Sequence, residues 1–218
     1  MNKLISNELE LYQEYKSICG VDEAGRGPLA GPVVCSAVIF DLEELTKIAN
    51  QEVDYLLSSL NDSKAISEKK RDKLYPYIIK YAKAYSIVQI EPGEIDKLNI
   101  LNATLEGMDR ALESLAKEWE IALIDGNKLP PRNREKAEFV VKGDSKYFSI
   151  AGASVLAKVT RDRIMQKLHN DFPHYNWLRN KGYPTKEHVQ AINLHGVCKH
   201  HRLSYGPCSQ ITIPGLEP

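Results

Sequence analysis

GVDEAGRGPLAGP, residues 20–32, sets two adjacent acids at the end of an apolar run and opens directly into a loop of glycines and prolines. Ile18, Cys19, Gly20 and Val21 predict the end of a buried strand, while Gly25, Gly27, Pro28, Gly31 and Pro32 interrupt regular structure. Asp22 and Glu23 are therefore expected at a strand end. Neighbouring side chains of an unbroken strand point to opposite faces, so both carboxylates serve one site only if the chain bends near Gly25, as glycine permits. Arg26 lies between two glycines whose amides no side chain shields, a local form suited to close approach of a phosphate. The loop is neither a GxxxxGK[ST] phosphate loop nor a GxGxxG dinucleotide fingerprint.

Outward from this loop, residues 7–16 predict a short amphipathic helix with Leu9, Leu11 and Tyr12 on its apolar face and Ser6 as cap, followed by a strand over 17–22. VVCSAVIF at 33–40 is β-branched and apolar, a central strand expected to form a hairpin with the first. Helices are predicted over 43–58 and 67–83, the latter from Leu74, Tyr77, Ile78 and Tyr81 at helical spacing, and a strand over 84–90. The clearest helical period runs from 99 to 119 through Leu101, Leu105, Met108, Leu112, Leu115 and Trp119. IALID then repeats the opening pattern of strand, acid and glycine, with Asp125 before Gly126. A strand over 138–142 precedes Gly143 and Asp144, and a long helix is predicted over 149–169. Strands and helices alternate after a hairpin, which gives an α/β class with a mixed sheet flanked by helices. Beyond residue 170 no strand pattern returns, so the C-terminal part reads as a helical extension.

The chain of 218 residues, 43% hydrophobic and 27% charged, suits one globular domain of moderate size and excludes a disordered class. No apolar run reaches membrane-spanning length, and the N-terminus, MNKLISNELELYQEYK, is too acidic for a signal peptide, so a cytoplasmic protein with no membrane contact is expected. The four cysteines, Cys19, Cys35, Cys198 and Cys208, show no CxxC pairing. His195, Cys198, His200, His201 and Cys208 are zinc-ligand types, but their spacing fits no standard finger. Net charge is zero, yet residues 126–203 hold 15 Lys and Arg against 6 Asp and Glu, a surplus of +9 balanced by −9 elsewhere. Such asymmetry marks either a polyanion-binding face or salt bridging across the fold.

Three separate segments each deliver acid where a strand ends: Asp22 with Glu23, then Asp125, then Asp144. Carboxylates gathered in one place repel each other unless a cation neutralises them, and hard oxygen donors suit Mg²⁺ or Mn²⁺. Two such ions can activate a water and stabilise the leaving oxygen in phosphodiester hydrolysis. On the last long helix Ser154 and Lys158 lie four apart, with Arg161 three further, a line that could follow a phosphate backbone. Asn127, Lys128, Ser63 and Lys64 are further candidates of the same kind, Lys64 the strongest of them.

Several ordered motifs together resemble the ribonuclease HII family, the bacterial type 2 ribonucleases H, over nearly the full length. They are GVDEAGRGPLAGPVV at 20–34, NDSK at 61–64, LIDGNKLP at 123–130, KGD followed by SIAGASVLAKVTRD at 142–162, KGYPTKEH at 181–188 and HRLSY at 201–205. NDSKAIS replaces a commoner leucine-bearing DSKxLS, and AGAS stands where AAAS is common; neither touches an acid. The resemblance implies a ribonuclease H-like catalytic domain over 1–169, with residues 170–218 a helical extension packed on it. It implies hydrolysis of the RNA strand of RNA/DNA hybrids and nicking 5′ of ribonucleotides embedded in duplex DNA, with Mn²⁺ or Mg²⁺, two ions during catalysis. Asp22, Glu23, Asp125 and Asp144 match the metal-binding acids. Gly25, Arg26 and Gly27 match the element that contacts backbone around the ribonucleotide, and Tyr183 the ring that packs on the following deoxyribose. A monomer is expected. A replication clamp is a candidate partner without a supporting motif, since the tail SQITIPGLEP shows no clamp-binding pattern. Residues 41–60 match no motif.

Overall fold

The computed structural model describes residues 2–52, 55–60, 66–116 and 118–210. Five strands, β1 (Ile18–Ala24), β2 (Val33–Ile39), β3 (Ala84–Ile90), β4 (Ile121–Asp125) and β5 (Ala137–Val140), form one sheet in the order β3-β2-β1-β4-β5. β1, β2 and β3 are antiparallel neighbours, as the hairpin pattern predicts, whereas β4 and β5 run parallel to β1. In the parallel pair Val21 lies opposite Ile124, so the next residues, Asp22 and Asp125, stand side by side at the end of the register. Acids at the C-terminal ends of parallel strands face the crevice where open α/β sheets bind ligands.

The helices are α1 (Lys3–Leu11), α2 (Leu42–Ala49), α3 (Tyr55–Ser58), α4 (Glu68–Tyr81), α5 (Pro92–Leu98), α6 (Ile100–Glu113), α7 (Phe148–Asp171), α8 (Trp177–Asn180), α9 (Lys186–His195) and α10 (Gly206–Ser209). Every residue of β2 is buried, and its faces divide by the two-residue period of a strand. Cys35, Ala37 and Ile39 pack with Met108, Ala111 and Leu112 of α6. Val38 joins Val155 and Leu156 of α7, with α2 and α4 alongside, and Val34 meets Ala157. Gly20 lets the start of α7 lie directly on β1, because a Cβ there would stand 2.2 Å from the Ile150 amide nitrogen. That contact fixes α7 against the acid-bearing strand.

Several boundaries differ from the sequence expectation. β1 continues to Ala24, so Asp22 and Glu23 lie inside it, paired with Ser36 and Cys35. α1 begins at Lys3, capped by Asn2, whose side-chain oxygen accepts from the Leu4 amide at 2.9 Å. The expected helix over 43–58 is two shorter ones, and that over 99–119 ends at Glu113. Trp119 still reaches back, its indole donating to the Leu112 carbonyl at 3.2 Å. α5 was not expected; Pro92 opens it, at a position where proline's missing amide costs nothing. Among the described residues no helix is long and apolar enough to cross a membrane.

Candidate active site

Asp22, Glu23, Asp125, Gly25, Ser154, Lys158 and Tyr183 line one cleft of about 280 Å³, together with Ala24 and Arg71. A small groove, also lined by Glu23 and Asp125, continues past Arg26, Asn127 and Lys128. The two acids of β1 both serve this region. Asp22 is buried and accepts from Ser154 of α7, while half-buried Glu23 lies 3.5 Å from the Arg26 guanidinium. The Asp22 carboxyl also accepts from the Glu23 amide at 2.7 Å. Asp125 accepts from the Gly143 amide at 2.6 Å, which ties it to the turn that carries buried Asp144. Asp144 does not itself line the cleft.

Burial, then the charges of Glu23 and Asp125, raise the Asp22 carboxyl well above the usual carboxylate range, against the Ser154 and backbone hydrogen bonds that lower it. Three like-charged groups therefore act on one another. Among the described residues no group of three or more His, Cys, Asp or Glu side chains is arranged to hold a metal ion as it stands. The donor chemistry nonetheless fits a hard divalent cation, which would relieve the repulsion that Asp22 reports.

Gly25 and Gly27 play separate parts. Gly25 has φ +99°, so the chain turns there as the sequence predicts. Gly27 faces the Tyr183 ring, which would lie 3.5 Å from a Cβ at that position. Tyr183 is 42% exposed and comes from the turn between α8 and α9, so the C-terminal part folds back over the first loop. The seam is dense: the Leu29 amide donates to the Gly182 carbonyl at 2.7 Å, and that of Gly31 to the His200 carbonyl at 2.8 Å. Arg202 donates to the carbonyls of Gly25, Arg26 and Gly31 at 2.6, 3.0 and 2.9 Å.

Arg161 corrects the expectation of a backbone-phosphate contact. It is fully buried, and its guanidinium donates to the carbonyls of Pro32, Lys181 and Ala30 at 3.1, 3.0 and 3.0 Å. Its nitrogens hold protein carbonyls in place of phosphates. Lys158 does face the cleft, with its ammonium 3.0 Å from Asp162. Ser63 and Lys64 lie outside the described residues. Among the C-terminal His and Cys residues, His201 packs against Tyr175 and Trp177, whose rings stack at 4.9 Å, and Cys198 and Cys208 join the same cluster. Arg71, in the cleft, and buried Arg202 were missed by sequence reasoning: Arg71 stands in the charged start of a helix, and Arg202 in the HRLSY motif, where no role was assigned to it.

The crystal structure of ribonuclease H2 from Pyrococcus horikoshii matches with a TM-score of 0.73 at 26% identity, covering 89% of this chain and 96% of that one. The protein therefore falls in the ribonuclease H-like class of nuclease folds. The family model described as Ribonuclease HII matches residues 19–208. Ribonuclease HII of Magnetococcus marinus is 48% identical over 90% of this chain and 87% of its own length, and that of the Wolbachia of Brugia malayi 48% over 91% and 92%. The chain belongs to the ribonuclease HII family, and is a ribonuclease H hydrolase.

Proposed function

We propose that the protein cleaves RNA/DNA hybrids and nicks duplex DNA on the 5′ side of an embedded ribonucleotide, leaving 3′-hydroxyl and 5′-phosphate ends. The observation that carries this is the cleft in which Asp22, Glu23 and Asp125 meet Ser154, Lys158 and the exposed Tyr183 ring. Asp22, Glu23, Asp125 and Asp144 would hold Mg²⁺ or Mn²⁺. Two such ions, when bound, supply the positive charge that activates a water and stabilises the departing 3′-oxygen. Ser154 orients Asp22, and Lys158 presents its ammonium to the phosphate backbone, with Asn127 and Lys128 in the adjoining groove. Gly25, Arg26 and Gly27 approach the ribonucleotide, where Gly27, with no side chain opposite the Tyr183 ring, leaves room for a 2′-hydroxyl, the group that distinguishes RNA from DNA. Tyr183 packs on the following deoxyribose. On this reading residues 1–169 are the catalytic domain, and 170–218 an extension that supplies the junction reader.

The test is a labelled duplex DNA carrying one ribonucleotide, incubated with Mg²⁺ or Mn²⁺. A single nick is expected, abolished by EDTA. Asp125→Asn should lose at least about a hundredfold in turnover, roughly 3 kcal/mol of barrier, while still binding the duplex. Intact strands with both ions would overturn the proposal.

A further inference from the structure

Tyr183 is held from behind by a chain of buried side chains. The Cys198 amide donates to His201 Nδ1 at 3.0 Å, so the proton of neutral His201 sits on Nε2. That nitrogen lies 3.3 Å from His188 Nε2, which also accepts from the Trp177 indole at 2.9 Å. Two donors on Nε2 leave the His188 proton on Nδ1, which lies 3.0 Å from the Tyr183 carbonyl and donates to it. His188 and His201 are both buried, and burial depresses the basicity of each, which keeps them in the neutral forms this chain requires. The ring itself faces Gly27, and the Arg161 guanidinium lies 5.9 Å from its centroid. The Tyr183 backbone that carries the ring is tied at both groups, its amide donating to the Asn180 carbonyl and its carbonyl accepting from the Thr185 amide, each at 2.8 Å, as well as from His188.

We infer that His188 is a positioning residue for junction recognition: its fixed tautomer holds the Tyr183 backbone so that the exposed ring stands opposite Gly27. The inference rests on the junction role of Tyr183 proposed above. It asks more of His188 than core packing, because a packing residue would support every substrate alike.

The experiment compares initial rates on a single-ribonucleotide duplex and on a long RNA/DNA hybrid, as a ratio, with melting temperatures of each variant. His188→Asn keeps a side-chain N–H near the Nδ1 position and is expected to preserve the ratio. His188→Gln places its amide at the Nε2 end, loses the donor to Tyr183, and is expected to lower the ratio about tenfold, through KM on the junction substrate. Tyr183→Ala should lower it by about tenfold to a hundredfold, and adding His188→Gln to it should lower it no further. An unchanged ratio in Tyr183→Ala overturns the junction reading and this inference with it. A lowered ratio in Tyr183→Ala with an unchanged one in folded His188→Gln, or equal losses on both substrates, overturns the inference alone. Should His188→Gln not fold, the pair Trp177→Phe with His201→Asn removes both donors that fix the tautomer; an unchanged ratio there also overturns it.

Discussion

At Gly25 the backbone φ of +99° and the space behind it both forbid a side chain, since a Cβ would stand 2.1 Å from Arg161 Nε and 2.9 Å from the Pro32 carbonyl. Gly126 is a control for the first effect alone, with φ +111° and no neighbour within 4 Å. Gly126→Ala should therefore cost about 1 kcal/mol of backbone strain. Gly25→Ala must also displace the Arg161 guanidinium from its carbonyls, and should cost about 2 kcal/mol more, with cleavage of all substrates reduced. Urea melts of the two variants measure the difference; equal costs would mean that Arg161 gives way freely. No property of Arg161 in the sequence foretold this role. It lies three residues from Lys158, and the two share a helix face by period, but α7 is buried around most of its first half, from Phe148 to Leu156, so period does not sort its faces into wet and dry.

Between elements, the packing of α1 on α7 places a fully buried carboxylate, Glu8, against the first turn of α7, where it accepts from the Ser149 amide at 2.7 Å. Burial lifts its pKa from 4.5 to about 7, more than the hydrogen bonds from Ser149 lower it. The folded chain thus holds this proton more tightly than the unfolded one. The stability it contributes is full below about pH 4.5 and is lost as pH rises through about 7, a span of about 3 kcal/mol. Glu8→Gln should keep the acceptor and flatten that decline, so that its advantage over the parent grows between pH 5 and pH 8 in denaturant melts; parallel curves would refute the assignment. The elements themselves were largely legible, because β2 and β4 are plain apolar runs, α4 follows a helical period, and strand, acid and glycine recur at Asp22 and Asp125. What was not legible depended on distant partners. The turn positions of Lys181 and Gly182, at φ 51° and 82°, and the burial of Arg202 follow from contact with the loop at 25–31, far away in sequence.

In the whole molecule the surplus of positive charge in residues 126–203 is partly used internally. Arg132 pairs with Glu106 and Glu113 of α6, Arg163 with Asp72, and Lys181 with Glu68, while Arg161 and Arg202 are buried. Of that surplus only Lys128 and Lys158 line the cleft and its adjoining groove, joined there by Arg26 and Arg71 from outside the segment. The logarithm of hybrid affinity should therefore fall against the logarithm of salt with a slope of about 3 to 4, not the roughly 8 that all nine surplus charges would give. Titration of a non-cleavable hybrid at several salt concentrations decides between them. The seam between the two ends of the chain has one more effect, on the order in which the protein matures. Ribosomes complete β1 and its acids early, but the carbonyls of Gly25, Arg26 and Gly31 gain their arginine only when residue 202 has been made and has left the exit tunnel. A nascent chain carrying all four acids therefore still lacks the brace of the loop at 25–31 until Arg202 has joined it.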